Sequence, residues 1–255
     1  MTYCVFRAAP ENEFFHEGRV KRAVILAGGL GTRLRPYTVV LPKPLMPVGP
    51  YPILEIIVRQ LAGYGFDGIT LAVNHQADII KAYFGDGSKW KIAIDYSLET
   101  QPLSTIAPLK LIENLPEHFV LMNGDVLTDL DLGSLFERHA LEDRLFTIAA
   151  SSRKSVINYG VLEIDDGRLS GFREKPEIEH FVSMGVYVVS RAALEFVPSG
   201  RKYGFDHLMK DLLARGKRVH VERFSGYWLD IGRPDDYMQA VDEFDQWKDR
   251  LLPRG

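Results

Sequence analysis

The sequence predicts a doubly wound α/β fold, a Rossmann-like mixed but mostly parallel sheet with helices on both faces. Three observations carry that reading. Short apolar runs at residues 23–26, 69–73 and 119–122 read as strands buried on both faces of a parallel sheet. Stretches with apolar residues at helical spacing lie between them, so strand and helix alternate. The first run also ends in Gly28, Gly29 and Gly31, with Arg33, Arg35 and Lys43 close behind. Such a loop sits at the carboxyl edge of the sheet, where open α/β proteins bind ligands.

Bulk properties narrow the classes. A chain of 255 residues is long enough for one large α/β domain with a substantial core. Its net charge of −3, with both signs interspersed, points away from a nucleic-acid surface or a polybasic membrane patch. No apolar run is long enough to span a membrane. One cysteine, Cys4, excludes an internal disulfide and fits a reducing compartment. Arg7, Glu11, Glu13, His16 and Glu17 interrupt any signal-peptide core, so cytoplasmic is the default location. Residues 1–20 form an N-terminal extension. Tyr3, Val5, Phe6, Phe14 and Phe15 make it too apolar for a solvated tail, so it is expected to pack on the domain or on a neighbouring subunit of a homo-oligomer. No linker or repeat divides residues 21–255, which read as a single domain.

The elements follow in order. Ile53, Ile56, Ile57 and Leu61 form a helical stripe over residues 52–64, with Pro52 in the opening turn. A strand at 69–73 leads to a short helix at 78–84. Residues 91–96 alternate as a half-buried strand, residues 103–115 read as a helix, and 119–122 as a strand. The pattern then changes. Strands at 160–164 and 168–172 flank Asp165-Asp166-Gly167, a turn with glycine available for positive φ. A longer strand at 181–189 contains Gly185. Helices at 191–196 and 205–215, a strand at 218–223 and a helix from Pro234 to about residue 250 complete the chain. Asp235 and Asp236 in its first turn complement the helix dipole. This second half is expected to form a mixed sheet covering one side of the first.

Two stretches carry chemistry in their residues alone. In the glycine loop, missing Cβ atoms let backbone N–H groups approach an anion, and Pro42 and Pro44 stiffen the backbone around Lys43. A dinucleotide fingerprint would need a third glycine where Leu34 stands, and a Walker loop would need Gly-Lys-Ser/Thr. A nucleoside triphosphate held by its phosphates is the reading left, beside the plainer one of a glycine turn with solvated arginines. Asn123-Gly124-Asp125 ends a strand and brings a carboxylate to the same edge. A hard cation such as Mg2+ favours one or two carboxylates plus phosphate oxygens. An Asn-Gly turn with a solvated Asp is the alternative. Asp129 and Asp131 read as turn and helix-cap residues.

The string from Leu26 to Pro36, with Pro42 to Pro47, resembles the signature of the sugar-1-phosphate nucleotidyltransferases, among them the mannose-1-phosphate and manno-heptose-1-phosphate guanylyltransferases. Tyr227-Trp228-Leu229-Asp230-Ile231-Gly232 is similar to that family's metal-aspartate segment, and the likeness extends to about Ala240. It implies the nucleotide-diphospho-sugar transferase fold and a Mg2+-dependent reaction between a nucleoside triphosphate and a sugar 1-phosphate. It further implies that Arg33 and Lys43 neutralise phosphates and that Asp125 and Asp230 hold Mg2+. Leu26, Gly28, Gly29, Gly31, Thr32, Glu99, Ser104, Thr105 and Gly124 would contact the nucleotide. Lys175 would meet the sugar phosphate, and Gly160, Glu174, Ser183 and Tyr187 would line the sugar site.

Three positions depart from the pattern. Ser183 stands where most members resemble one another in having Asn. Ser104-Thr105-Ile106-Ala107 stands for Gly-Thr-x-Gly, which is expected to limit positive φ there. The base is expected to be guanine. Glu99 occupies a position where members using thymidine or uridine triphosphate resemble one another in having Gln. A carboxylate only accepts hydrogen bonds, which suits guanine's two adjacent donors. Thymidylyl or uridylyl transfer to glucose 1-phosphate, and a catalytically silent nucleotide-sugar sensor, stay open as alternatives.

Overall fold

The computed structural model describes residues 20–74 and 76–252; the N-terminal extension therefore lies, Val20 apart, outside the described residues. In chain order the elements are β1 (Arg22–Leu26), β2 (Pro47–Val48), β3 (Tyr51–Pro52), α1 (Ile53–Gly63), β4 (Gly68–Val73), α2 (Ala77–Phe84), β5 (Ala93–Leu98), β6 (His118–Asn123) and β7 (Val126–Thr128). They continue with α3 (Leu132–Leu141), β8 (Phe146–Val156), β9 (Val161–Asp165), β10 (Arg168–Arg173), β11 (Glu177–Ser190), α4 (Phe205–Ala214), β12 (Val219–Phe224), β13 (Trp228–Asp230) and α5 (Pro234–Leu251).

Seven strands form one sheet in the order β12-β8-β11-β6-β1-β4-β5. All neighbours are parallel except β11, which runs antiparallel to both β6 and β8. The second half therefore continues the first half's sheet edge to edge through the β6–β11 pairing, instead of covering it as a second layer. Between β1 and β4 the chain winds one way, and it returns to β6 on the other side of β1. That reversal opens a crevice above the ends of β1 and β6.

Strand periodicity divides the core. Ala23, Ile25, Val120 and Met122 face one side with α1, α2, α3 and α5. Val24, Phe119 and Leu121 face the other with α4 and a 3-10 turn at Ala107–Leu111. In α1, Ile53, Leu54, Ile56, Ile57 and Leu61 are fully buried. Each contributes about 1.5–3 kcal/mol against exposure, an upper estimate because the unfolded chain already buries some surface. Within α1, Glu55 is a buried carboxylate held by Arg59, the Tyr83 hydroxyl and Trp90 Nε1.

Two elements depart from expectation. Residues 103–115 form no α-helix, only the 3-10 turn, because the backbone ahead of it bonds elsewhere. Ile106 and Ala107 N–H both donate to Tyr203 O (3.1 and 3.0 Å), and Tyr203 N–H donates to Leu103 O (2.9 Å). Strand β8 lies where the sequence shows no regular alternation, since its first half is buried and its second half exposed. Helix α3 is capped by Asp131, whose Oδ1 accepts the Ser134 N–H at 2.8 Å, as expected of that residue.

Candidate active site

Four loops converge on the crevice. The first leaves β1 and is pinned on both sides: Ala27 N–H donates to Ala72 O (2.8 Å), and the Asn74 side-chain amide donates to Gly28 O. Gly31 takes φ +60°, and a Cβ there would come within 2.9 Å of Thr38 Cγ2. Thr38 Oγ1 also donates to Gly31 O at 2.7 Å. Only glycine fits this turn, which leads into a 3-10 helix at Thr32–Leu34.

The second and third loops bring the two carboxylates together. Gly124 N–H, after β6, donates to Leu26 O at 3.0 Å, so the chain turns at Asp125 directly beside the end of β1. Strand β13 then pairs with β7, placing Asp230 opposite Val126, and Ile231 N–H donates to Asp125 O at 3.0 Å. Residues separated by about a hundred positions thus become backbone neighbours.

The electrostatics of this cluster are uneven. Lys43, between its two prolines, is buried and ion-paired with Asp125 Oδ2. Asp125 Oδ1 is buried without a hydrogen-bond partner among the described residues. Burial, and then the neighbouring Asp125 charge, raise the Asp230 carboxyl above its ordinary 3.8, while Lys43 and Arg33 pull it down. Asp230 is exposed to solvent even though protein closes in around part of its carboxylate. The Arg33 guanidinium lies along Gly232, where a Cβ would meet Nη2 at 3.2 Å. Two adjacent carboxylates, one with an orphaned buried oxygen and one repelled by its neighbour, fit a divalent cation. A Glu117–His118–Asp143 cluster could also hold an ion. It lies at the opposite end of β6 and takes no part in the crevice.

The fourth loop closes the side of the crevice. Glu99 N–H donates to Val73 O at 2.8 Å, and its carboxylate accepts the Leu103 N–H. Ser104 adopts φ +74°, so the expected limit on positive φ does not hold. The strap at Tyr203 holds it there, and Thr105 Oγ1 accepts the Phe205 N–H at 2.9 Å. Together these loops enclose a cavity of about 740 Å3 lined by Leu26, Gly28, Gly29, Glu99, Ser104, Thr105 and Asp125. That size suits a nucleoside. Asn74, Leu98, Gln101 and Asn123 also line it and are absent from the sequence-based set. Asn74 and Asn123 sit at or just past strand ends, and that position alone could have found them.

Gly31, Thr32, Arg33, Lys43, Gly124 and Asp230 sit around the cavity rather than in its lining. The remaining residues are reached through β11. Gly185, at φ +72°, breaks the β11–β8 register, and a Cβ there would come within 2.6 Å of Asn123 Nδ2. Ser183 Oγ donates to the Tyr187 hydroxyl (3.0 Å) and accepts the Gly185 N–H (3.3 Å). Tyr187 itself is buried and stacks on Phe205, with ring centroids 4.7 Å apart. Glu174 Oε2 lies 3.2 Å from where a Cβ on Gly160 would stand, whereas Lys175, at φ +42°, is exposed.

A glycine turn, cations and paired carboxylates at the switch point of a doubly wound sheet define a nucleotide-handling α/β protein. Residues 22–246 match the nucleotidyl transferase family, and the chain belongs to it. It is 33% identical over 241 residues to a UTP–glucose-1-phosphate uridylyltransferase of Synechocystis sp., covering 86% of this chain and 62% of that protein's length. It is 35% identical over 230 residues to a D-glycero-α-D-manno-heptose 1-phosphate guanylyltransferase of Aneurinibacillus thermoaerophilus, covering 88% of this chain and 99% of the relative. The crystal structure of HddC from Yersinia pseudotuberculosis superposes with a TM-score of 0.68 at 28% identity, covering 88% of this chain and 99% of that one. The same protein complexed with GMP-PN gives 0.65 at 28% identity. Among the described residues no helix is long and apolar enough to cross a membrane.

Proposed function

We propose that this chain transfers a nucleoside monophosphate from GTP to a manno-configured sugar 1-phosphate, heptose or hexose, releasing pyrophosphate. The observation that carries the reading is the Asp125–Asp230 pair beside Lys43 and Arg33, at the mouth of a nucleoside-sized cavity. In the reaction a sugar-phosphate oxygen attacks the α-phosphorus. A new P–O bond forms as the bond to the bridging oxygen breaks, and pyrophosphate leaves with the electron pair. No covalent enzyme intermediate is needed, so catalysis is positioning plus neutralisation of charge.

Each residue takes a role suited to its place. Asp125 and Asp230 would hold Mg2+, whose charge, when bound, offsets that of the phosphate oxygens. The backbone at Gly28, Gly29 and Gly31 lies against the triphosphate. Arg33 would stabilise the β- and γ-phosphates, Thr32 would contact the nucleotide, and Lys43 would bridge the reacting groups. Leu26, Gly124, Ser104 and Thr105 shape the nucleoside site. Lys175 meets the sugar phosphate, with Glu174, the Gly160 backbone and Ser183 at the sugar. Tyr187 supports Ser183 from behind through its hydroxyl.

Guanine is favoured by Glu99, whose carboxylate lines the cavity and retains acceptor capacity after taking the Leu103 N–H. The heptose guanylyltransferase relative and the GMP-PN complex of HddC support the same base. The uridylyltransferase relative favours UTP with glucose 1-phosphate as the second reading. Pyrophosphate release measured with GTP, UTP and dTTP against mannose, manno-heptose and glucose 1-phosphates decides between them. GTP with a manno-configured acceptor is expected to be fastest, and Glu99→Gln should weaken GTP use more than UTP use. Preference for UTP or dTTP refutes the base assignment, and no turnover with any pair refutes the enzyme.

A further inference from the structure

Three parallel strands end side by side at the crevice. Leu26 of β1 is in register with Ala72 of β4, and Val73 of β4 with Leu98 of β5. The chain just past these ends brings Gly28, Asn74 and Glu99 together at the sheet edge, and Glu99 N–H donates to Val73 O at 2.8 Å. Asn74 Nδ2 and Glu99 Oε2 each lie 3.5 Å from the point where a Cβ on Gly28 would stand. Both residues line the nucleoside-sized cavity.

Local hydrogen bonds fix which polar atom each side chain offers. Gly28 O can only accept, so the Asn74 atom bonded to it is the amide nitrogen. That nitrogen carries two N–H groups, and one is left for the cavity. Glu99 Oε1 takes the Leu103 N–H, so Oε2 is the oxygen turned toward Gly28. A donor and an acceptor thus flank one spot on the cavity wall. Nucleobases divide into two sets against such a pair. Guanine, uracil and thymine present a keto oxygen beside a ring N–H. Adenine and cytosine present an amine beside a bare ring nitrogen, which is the reverse order.

We infer that Asn74 is a specificity-determining residue, which donates to the keto oxygen of the nucleobase while Glu99 accepts the ring N–H beside it. The inference rests on the triphosphate-binding role proposed for this crevice, and not on guanine in particular. Glu99 alone could not separate the two sets, because a carboxylate accepts from an amine as readily as from a ring N–H. The Asn74 donor supplies the difference. An amino base would set its amine against that N–H, or its bare nitrogen against the carboxylate, and leave the protein groups unpaired.

Nucleotide pairs that differ only at this edge test the inference. GTP and the triphosphate of 2,6-diaminopurine riboside make one pair, and UTP and CTP the other. Pyrophosphate release is followed with the sugar 1-phosphate that turns over fastest. Wild type should favour the keto member in kcat/KM by about 10–100-fold. Asn74→Ala should narrow that ratio about 5–10-fold. Losing the Gly28 contact should also slow the variant with every nucleotide, but that loss cancels in a ratio taken within one enzyme. Where turnover is too slow to follow, the ratio of dissociation constants for the same triphosphates with Mg2+, from titration calorimetry, reports the same discrimination. A ratio unchanged by Asn74→Ala overturns the inference and leaves the guanine assignment standing. So does a wild type indifferent between the members of each pair. Preference for UTP over GTP refutes guanine instead, and the UTP–CTP ratio of the variant then decides the role of Asn74. Binding of no triphosphate overturns both readings.

Discussion

Asp230→Asn should lower activity and raise the stability of the ligand-free protein at once. Burial and the adjacent Asp125 raise the Asp230 carboxyl above 3.8. An acid whose folded pKa is raised binds its proton more readily when folded. Its ionised form therefore costs stability at neutral pH, and the cost vanishes as pH falls below the unfolded value. Asparagine keeps the shape and removes the charge. Because the side chain opens to water on one side, screening limits the gain to ~0.5–1 kcal/mol. For a chain of this size that is an increase in melting temperature of about 1–4 °C. The rate should move the other way, by 10²–10³ or about 3–4 kcal/mol, the cost typical of removing one preorganised charge interaction. Wild type with Mg2+ and GTP at about 100 times their dissociation constant should gain a further ~2.7 kcal/mol, most of which the variant should forgo. Thermal unfolding with and without MgCl2, paired with pyrophosphate release, measures all three effects. A variant more than ~1 kcal/mol less stable than wild type, or one with full Mg2+-dependent turnover, would refute the two-carboxylate reading.

Ser104→Gly should stabilise by about 0–1 kcal/mol, the relief of a left-handed serine at φ +74° partly offset by unfolded-state entropy; a lowered melting temperature would contradict it. Gly185→Ala should destabilise by about 1–3 kcal/mol and reduce kcat/KM, since a Cβ would meet Asn123 at 2.6 Å in a strand break that needs φ +72°. Denaturant unfolding and steady-state kinetics of that one variant check both halves. Glu55 is pushed up by burial, but its hydrogen bonds from Tyr83, Arg59 and Trp90 outweigh this and hold it below the ordinary 4.5. Its contribution is full above about pH 4.5 and is lost as pH falls through the lower folded value. Glu55→Gln should therefore flatten the acid limb of stability against pH, and an unchanged limb would show that the network contributes nothing.

Much of this architecture was legible because local signals agreed. The apolar runs before Ala27 and Gly124 became β1 and β6, and the glycine loop and Asp125 fell at their ends, above the switch point. The β9–β10 turn needed positive φ, and Asp166 and Gly167 supply it at +44° and +73°. What was not legible depends on distant partners. The helical spacing over residues 103–115 was overridden by three backbone hydrogen bonds with Tyr203, and that same strap places Ser104 where sequence reasoning expected only glycine. The joining of the two halves also escaped detection. Whether β11 adds to the edge of a sheet or lies across its face depends on pairing with β6, which no local pattern records. Asn74 carries no motif, and only its place just past a strand end could have pointed to it.

The strap between residues 103–107 and Tyr203, like the β7–β13 pairing, has a consequence for the order of synthesis. The nucleoside loop takes its shape from hydrogen bonds to a segment about a hundred residues downstream, and Asp125 acquires its companion carboxylate only with Asp230. At translation rates of about 5–20 residues per second, the growing chain spends roughly 5–20 s with the first acid made and the second not. During that interval the glycine loop, β1, β4 and β6 exist without the parts that complete the crevice. Nucleotide can then lend the nascent chain none of the stabilisation it gives the finished one. A ribosome-bound chain arrested before Tyr203 should accordingly gain no protease resistance from GTP and Mg2+, whereas the released protein should.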